Sequence, residues 1–293
     1  MSININNNAS QIPTLTEAAG GVVTPDGRIS ASKETVITEH TIEISVNGIS
    51  VARLNCTPAD LTELVLGRLY TERIIDSSDD VKRLFICGQG DIAEVELESG
   101  IELEESVVTE PTCCTANRQL LVKKNGRRLS QLNAGVTGVA ITSDFCIGNR
   151  ATPSDGDDPA KASTIGSNEF NFAVFSMTEY FRNDSRLHKS TGGTHSCYLR
   201  SPEGEIRGFE DVSRHNALDK AVGYMLLQKL DPYRCMLFTS GRIASDMAQK
   251  AIASGIPVLI SKAVPTDEAL RLAREYGLTL IAKAWPDSYT LFN

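Results

Sequence analysis

Two cysteines stand side by side in the stretch Glu110-Pro111-Thr112-Cys113-Cys114-Thr115-Ala116-Asn117. Arg118, Lys123, Lys124, Arg127 and Arg128 follow, the most basic stretch of an acidic chain. Positive charge beside a thiol favours the thiolate, and the thiolate is the nucleophile. Cys113 and Cys114 are therefore the candidates for covalent sulfur chemistry, as a carrier thiolate that has to meet two different partners. The alternative reading of the same residues is an incidental cysteine pair ahead of a solvated basic helix. The other cysteines, at positions 56, 87, 146, 197 and 235, are scattered. Seven in all is an odd number with no disulfide spacing, and most read as small buried hydrophobes.

A second set of residues suits a phosphate-bearing ligand. In Thr191-Gly192-Gly193-Thr194-His195 the paired glycines permit close backbone approach and positive φ, with His195 alongside; a turn with a satisfied histidine fits equally. The stretch Glu210-Asp211-Val212-Ser213-Arg214-His215-Asn216-Ala217-Leu218-Asp219-Lys220 is dense in functional groups. A helix starting near Arg214 places His215 and Asp219 on one face, and Arg214 with Leu218 on another. Acid, base and amide donors at a helix N-terminus suit a polar anion, with a salt-bridged cap as the alternative. Ser240-Gly241-Arg242 adds a hydroxyl, backbone N–H groups at an expected helix start, and an arginine for a bidentate phosphate contact. There is no Walker-type loop, and Gly88-Gln89-Gly90 is too short for a dinucleotide fingerprint. His-x-Glu and Pro-Cys-x-x-Cys, which a zinc deaminase requires, do not occur, so no metal site is expected.

The elements that must position these residues can be read from pattern. The chain has 293 residues, 41% hydrophobic and 23% charged, enough for a real core and, at about 100–200 residues per domain, for two domains. Lys+Arg 29 against Asp+Glu 37 gives a formal charge of -8, which excludes the broad positive surface of a non-specific nucleic-acid binder. No apolar run approaches the length of a membrane span, and no leader pattern opens the chain, so a cytoplasmic location is expected. Residues 1–24 read as a loosely held tail, with order from about Glu39. Alternation over 41–46 and 49–54 around Asn47-Gly48 predicts a hairpin. Thr57-Pro58-Ala59-Asp60 predicts a helix cap with Pro at the first helical position, ahead of Leu61, Leu64, Val65 and Leu69. Strands are expected at 84–87 and 92–98, the latter with Val95 and Leu97 facing inward and Glu94, Glu96 and Glu98 outward. Residues 146–166 have linker composition. Beyond them a helix from about Asn168 leads into strands at 195–199 and 204–208 and a helix over 214–229. Strand 234–239, helix 242–253, strand 257–261, helix 266–276 and strand 278–282 complete a largely parallel sheet covered by helices. Ligands of such sheets sit beyond the carboxyl ends of the strands, where the loops at 239–242 and 261–266 fall.

The segments EHTIEISVNG, CTPADLTELVLGRLYTERII, TGGTHS, EDVSRHNALDK, TSGRIASDM, GIPVLISKAVPT and GLTL together resemble the formate dehydrogenase accessory sulfurtransferases, the FdhD/NarQ family, from about Glu39 onward. The resemblance implies an α/β fold. It comprises a small N-terminal α+β domain over 25–145 with a cysteine loop at 110–118, a linker at 146–167, and a C-terminal three-layer α/β/α domain over 168–293 resembling the cytidine deaminase fold without its zinc. It implies a persulfide carrier that takes sulfur from a cysteine desulfurase and passes it to the molybdenum cofactor, Mo-bis(molybdopterin guanine dinucleotide), for formate dehydrogenase, with the cofactor bound across a homodimer. The alternative is a delivery chaperone for that cofactor without sulfur transfer, and a more distant one is a nucleobase deaminase. By resemblance Cys113 takes the acceptor position of a Cys-Gly-x-Cys-Gly loop. Ala116 replaces the second cysteine and Asn117 a glycine, so Cys114 is the remaining candidate for a resolving thiol. The implied cofactor-binding residues are Gly192, Gly193, His195, Arg214, His215, Ser240, Gly241 and Arg242. A last loop adds Lys283, Ala284, Trp285, Pro286, Asp287 and Ser288, where Trp285 stands in place of an arginine. Ser213 replaces a usual glycine.

Overall fold

The computed structural model describes residues 3–9, 12–98, 104–107, 120–123 and 168–292. Cys113, Cys114, most of the basic cluster and the expected linker lie outside the described residues.

The first half is built on a five-stranded sheet. Its strands are β1 (Asn4–Asn7), β4 (His40–Val46), β5 (Ile49–Cys56), β6 (Val81–Ile86) and β7 (Ile92–Leu97), in spatial order β1-β6-β7-β4-β5. Two further strands, β2 (Leu15–Val23) and β3 (Ile29–Ile37), pair, among the described residues, with each other alone as an exposed antiparallel ribbon. The expected hairpin is β4–β5, turning on Asn47 and Gly48, both at positive φ. In β7, Ala93, Val95 and Leu97 are buried, while Glu96 faces out to Arg83 at 2.8 Å. The expectation of a loose tail over 1–24 is corrected: β1 pairs in parallel with β6, and β2 belongs to the ribbon. Those strands have mostly exposed side chains, so backbone pairing and a few side-chain contacts such as Asn7 to Thr62 order them, and no apolar alternation announces it.

Helix α1 (Leu61–Thr71) covers this sheet. It starts three residues after Pro58, with Asp60 in a left-handed conformation at its N-cap, so Pro58 is not at the first helical position. Thr57 is spent elsewhere: its N–H donates to Asp211 Oδ2 at 3.0 Å and its hydroxyl accepts from the Val212 N–H at 3.2 Å. The short pair β8 (Glu104–Val107) and β9 (Leu120–Lys123) runs antiparallel, with Val107 opposite Leu120 at the two ends of the sequence segment 108–119 that carries the cysteines.

The second half holds helix α2 (Asn168–Asp184), helix α3 (Arg186–Thr191), strands β10 (His195–Arg200) and β11 (Ile206–Asp211), helix α4 (Arg214–Leu227), and strand β12 (Met236–Thr239). Helix α5 (Ser245–Ser254), strand β13 (Val258–Ser261), helix α6 (Asp267–Tyr276), and strands β14 (Thr279–Trp285) and β15 (Ser288–Phe292) follow. The six strands order as β11-β10-β12-β13-β14-β15. Only β12, β13 and β14 are mutually parallel, so the sheet is mixed rather than largely parallel. β10 and β11 form a hairpin, and β14–β15 form a second.

Strand alternation divides the core. Tyr198, Phe238, Ile260 and Ile281 point to one face, under Phe170, Val174 and Met177 of α2. Their neighbours Cys197, Leu199, Leu237, Leu259 and Leu280 point to the other, toward α4 and α5. That second face runs without a break into the inner face of the first sheet, so both halves share one apolar cluster. The seam is α1 against α4. A Cβ on Gly67 would overlap the Asp219 carbonyl oxygen, and a Cβ on Gly223 would overlap the Glu63 carbonyl oxygen. Two backbones meet there because neither residue carries a side chain.

Two buried charge networks stitch the same seam. Lys220 Nζ lies 2.7 Å from Asp211 Oδ2, with both side chains fully buried, and also donates to the Thr57 and Glu210 carbonyls. Asp211 Oδ1 accepts from the Ser213 N–H and from Asn216 Nδ2. Lys250 Nζ donates to both oxygens of Asp219 at 2.8 and 3.0 Å, and Thr71 donates to the first of them at 2.8 Å. Among the described residues no helix is long and apolar enough to cross a membrane.

Candidate functional site

The mouth of the second sheet, where β12 and β13 end and β10 begins, gathers most of the predicted phosphate-binding residues. Cys197 pairs with Thr239, which brings His195 and Ser196 opposite Ser240 and Gly241. The Ser240 N–H donates to the Ser196 carbonyl at 2.9 Å, and the Ser240 hydroxyl accepts from the Ser196 N–H at 2.9 Å. The Gly241 N–H donates to Thr239 Oγ1 at 3.1 Å. These groups fasten the loop to the sheet and are not free donors, which corrects the reading of Ser240-Gly241-Arg242 as an open helix start. The reason is local: α5 begins at Ser245, because Ile243 bridges Pro265 and accepts from the Thr266 N–H, which holds the preceding residues extended.

Gly241 lies between two functional side chains. A Cβ there would come within 3.3 Å of Arg214 Cβ and Cδ and 3.6 Å of His195 Nδ1. Any larger residue would fill the space between histidine and guanidinium. Arg214 and His215, the first two residues of α4, both reach Asp246 of α5: His215 Nε2 donates to Asp246 Oδ2 at 2.7 Å, and Arg214 Nη2 lies 3.4 Å from the same oxygen. Burial alone would raise the Asp246 pKa, but the His215 hydrogen bond and the charges of His215 and Arg214 outweigh it and hold the carboxyl well below its ordinary range. His195 is shifted down, first by burial, then by Arg214, His188, His215 and Lys262, so the imidazole is neutral at neutral pH. Arg242 is exposed beside Gly241. Lys262 follows β13, with its ammonium 5.0 Å from the Phe181 ring centroid. The local charge is positive.

The predicted histidine–aspartate face on α4 does not form a pair. His215 turns to Asp246, while Asp219 is fully buried against Lys250. Gly192 ends α3 at φ 65, its N–H donating to the His188 carbonyl at 2.7 Å, and Gly193 backs onto Ile37 of β3. Both glycines are exposed, and α3 itself was not expected. Glu210 fixes this corner by accepting from the Leu187 and His188 N–H groups at 2.8 Å each, and from the Thr194 hydroxyl. The expected loop at 283–288 is the end of a hairpin. Lys283, Ala284 and Trp285 belong to β14, Ser288 opens β15, and Pro286 and Asp287 turn between them. Ala284 is buried, Trp285 is half exposed and pairs with Ser288, and the Lys283 N–H reaches the Ala263 carbonyl at 3.2 Å. Pro286 instead joins Phe172, Phe175 and Tyr180 of α2 around an open groove of about 630 Å³ on the opposite layer. Asp246 and Lys262 were missed, and Glu210, expected among the ligand-facing groups of 210–220, holds backbone N–H groups instead. Asp246 sits in the same TSGRIASDM stretch as Arg242, but its partners Arg214 and His215 lie 32 and 31 residues away in sequence, so no local spacing signals the contact.

The described cysteines offer poor nucleophiles. Cys56, Cys197 and Cys235 are buried, and burial pushes the Cys56 and Cys235 thiols each up to about 12. Cys87 is half-buried and donates to Asp91 Oδ1 at 2.8 Å.

The fold has a solved counterpart: a crystal structure of a protein assigned as a formate dehydrogenase accessory protein from Desulfotalea psychrophila superposes with a TM-score of 0.66 at 23% identity, covering 96% of this chain and 97% of that one. The shared architecture is a mixed α/β fold with several sheets. Residues 37–293 match the FdhD/NarQ family, and the chain belongs to that family. Among its relatives, the sulfur carrier protein FdhD of Mycolicibacterium paratuberculosis is 31% identical over 277 residues, covering 91% of this chain and 93% of the relative. The protein of the same name from Geobacillus kaustophilus is 30% identical over 259 residues, covering 87% of each chain.

Proposed function

We propose that this protein is a sulfur carrier that serves formate dehydrogenase. It accepts persulfide sulfur from a cysteine desulfurase on Cys113 and passes it to Mo-bis(molybdopterin guanine dinucleotide), held as cargo. In the loading step the Cys113 thiolate attacks the outer sulfur of the desulfurase persulfide. A new S–S bond forms at Cys113 and the desulfurase cysteine leaves as its thiolate. Attack by Cys114 on the inner sulfur would release hydrosulfide and leave a Cys113–Cys114 disulfide, which is the resolving role. Support comes from family membership, from the names of the relatives, and from the protonated, buried state of three described thiols.

The observation that carries the cargo half of the reading is the mouth of the second sheet. There His195 and Arg214 flank Gly241, Arg242 follows it in the chain, and the charge of Lys262 reaches His195, with Asp246 as the nearby carboxylate. The residues fit a diphosphate: Arg214 and Arg242 for charge-assisted contacts to its oxygens, Gly241 for close approach, and His195 as a neutral group able to take a proton as the anion arrives. The bound cofactor would supply the metal that receives the sulfur. The same reading keeps the second half as a cytidine-deaminase-like unit, supported by helices on both faces of its sheet, with a division at 146–167. It also retains a homodimer and a cytoplasmic setting.

The test is intact mass after incubation with a cysteine desulfurase and L-cysteine. The reading expects a gain of one sulfur atom that Cys113→Ala abolishes and Cys87→Ala leaves in place. No gain on any cysteine overturns sulfur transfer and leaves cofactor delivery without chemistry.

A further inference from the structure

We propose that Asp246 is the positioning residue of this site: its one carboxylate holds His215 and Arg214 in the arrangement that a diphosphate meets. The inference rests on the anion-binding reading above and assigns a role to a residue that reading leaves idle. Asp246 is the second residue of α5. One oxygen is anchored on its own helix, accepting from the Met247 N–H at 2.7 Å, while the other faces the first two side chains of α4 at 2.7 and 3.4 Å. One atom thereby sets two neighbouring basic side chains from a second helix. The side chains of His215 and Arg214 are 5% and 9% exposed against 32% for Asp246, so the carboxylate lies at the rim and the groups it orders lie within.

A carboxylate at the rim of an anion site has two opposed effects. By charge alone it repels the ligand. By geometry it keeps Arg214 beside the neutral His195, against the repulsion of Lys262, whose charge reaches the same mouth. Preorganised charge-assisted contacts gain affinity by removing ordering cost, and the buried guanidinium has most to lose if its acceptor is taken away. The two effects predict opposite signs for removal of the charge, and that makes the inference decidable.

The experiment is calorimetric titration of the full chain with inorganic pyrophosphate. Asp246→Asn is expected to bind about tenfold more weakly than the unmodified protein although it deletes a negative charge, and Asp246→Glu is expected to regain most of the loss. In an Arg214→Ala, His215→Gln background, Asp246→Asn should cost nothing further, because the groups it acts through are gone. Should the Asn variant fail to fold, Asp246→Ser, which keeps a short acceptor at the helix start but cannot span to His215, is judged by the same outcomes. Binding by the Asn variant at or above the unmodified strength overturns the role of Asp246 and leaves the anion site standing. No binding by the unmodified protein overturns the anion site, and the role of Asp246 with it.

Discussion

The seam between the halves and the mouth of the second sheet draw on the same eleven-residue stretch, 210–220, yet use its charges in opposite ways. In the seam, Asp211 meets Lys220, and Asp219 and Glu72 meet Lys250 and Arg68, so that each buried set balances its own charge. At the mouth, Arg214 and His215 share the single carboxylate of Asp246, while Arg242 stays exposed and Lys262 adds to the positive field around the neutral His195. A dense run of titratable residues is therefore not itself a site. Closed pairs hold a fold together, and an excess of one sign is what can attract a ligand.

That contrast can be broken most directly in the seam. Lys220→Met leaves Asp211 buried without its cation and is expected to cost about 3–5 kcal/mol in urea denaturation, with Asp211→Asn in the same chain restoring part of it, because the amide removes the buried charge and keeps an acceptor for the Ser213 N–H. Gly223→Ala comes next, at about 3 kcal/mol, since the added methyl must push the Glu63 carbonyl away. In an unconstrained helix the same change would stabilise by about 0.5–1 kcal/mol, so the sign alone reports whether the backbones touch.

The mouth should respond differently. Asp246→Asn is expected to cost about 1.5–3 kcal/mol near neutral pH, the range for hydrogen bonds to charged groups. Because the folded Asp246 pKa lies below its unfolded value, that contribution is present above about pH 4 and is lost as pH falls further, so the two stability curves converge in acid. Arg242→Ala should leave stability within about 0.5 kcal/mol while weakening pyrophosphate binding severalfold, a separation that no seam residue can show. Smallest of all, pyrophosphate binding should take up a proton at His195, whose pKa is held down in the free protein and rises when an anion arrives. Calorimetry in two buffers of different ionisation enthalpy measures that uptake, and His195→Gln should reduce it.

Much of this arrangement is legible in the residues. The hairpin on Asn47-Gly48, the inward face of 93–97 and most of the elements after Asn168, though not α3 or β15, follow from alternation and turn chemistry. What escapes is non-local. Thr57 looks like a helix cap until Asp211 claims it, and residues 242–244 look helical until Ile243 pairs with Pro265. β1 and the β2–β3 ribbon lack an apolar face to betray them. At the site, His195, Arg214, His215 and the glycines are recognisable by type, but the roles of Ser240 and Gly241 depend on a strand register that no local pattern carries. The 283–288 stretch reads as a loop because Pro286-Asp287 is a turn signal, while the strand that follows it is half exposed and weakly patterned.

The glycine crossing of α1 and α4 has one more consequence. Pieces joined by a long polar segment usually tolerate being cut apart there, but this chain should not, because the surface each would expose is the interior of the other. Severed within 146–167, both fragments would have to find each other again before either became a protein.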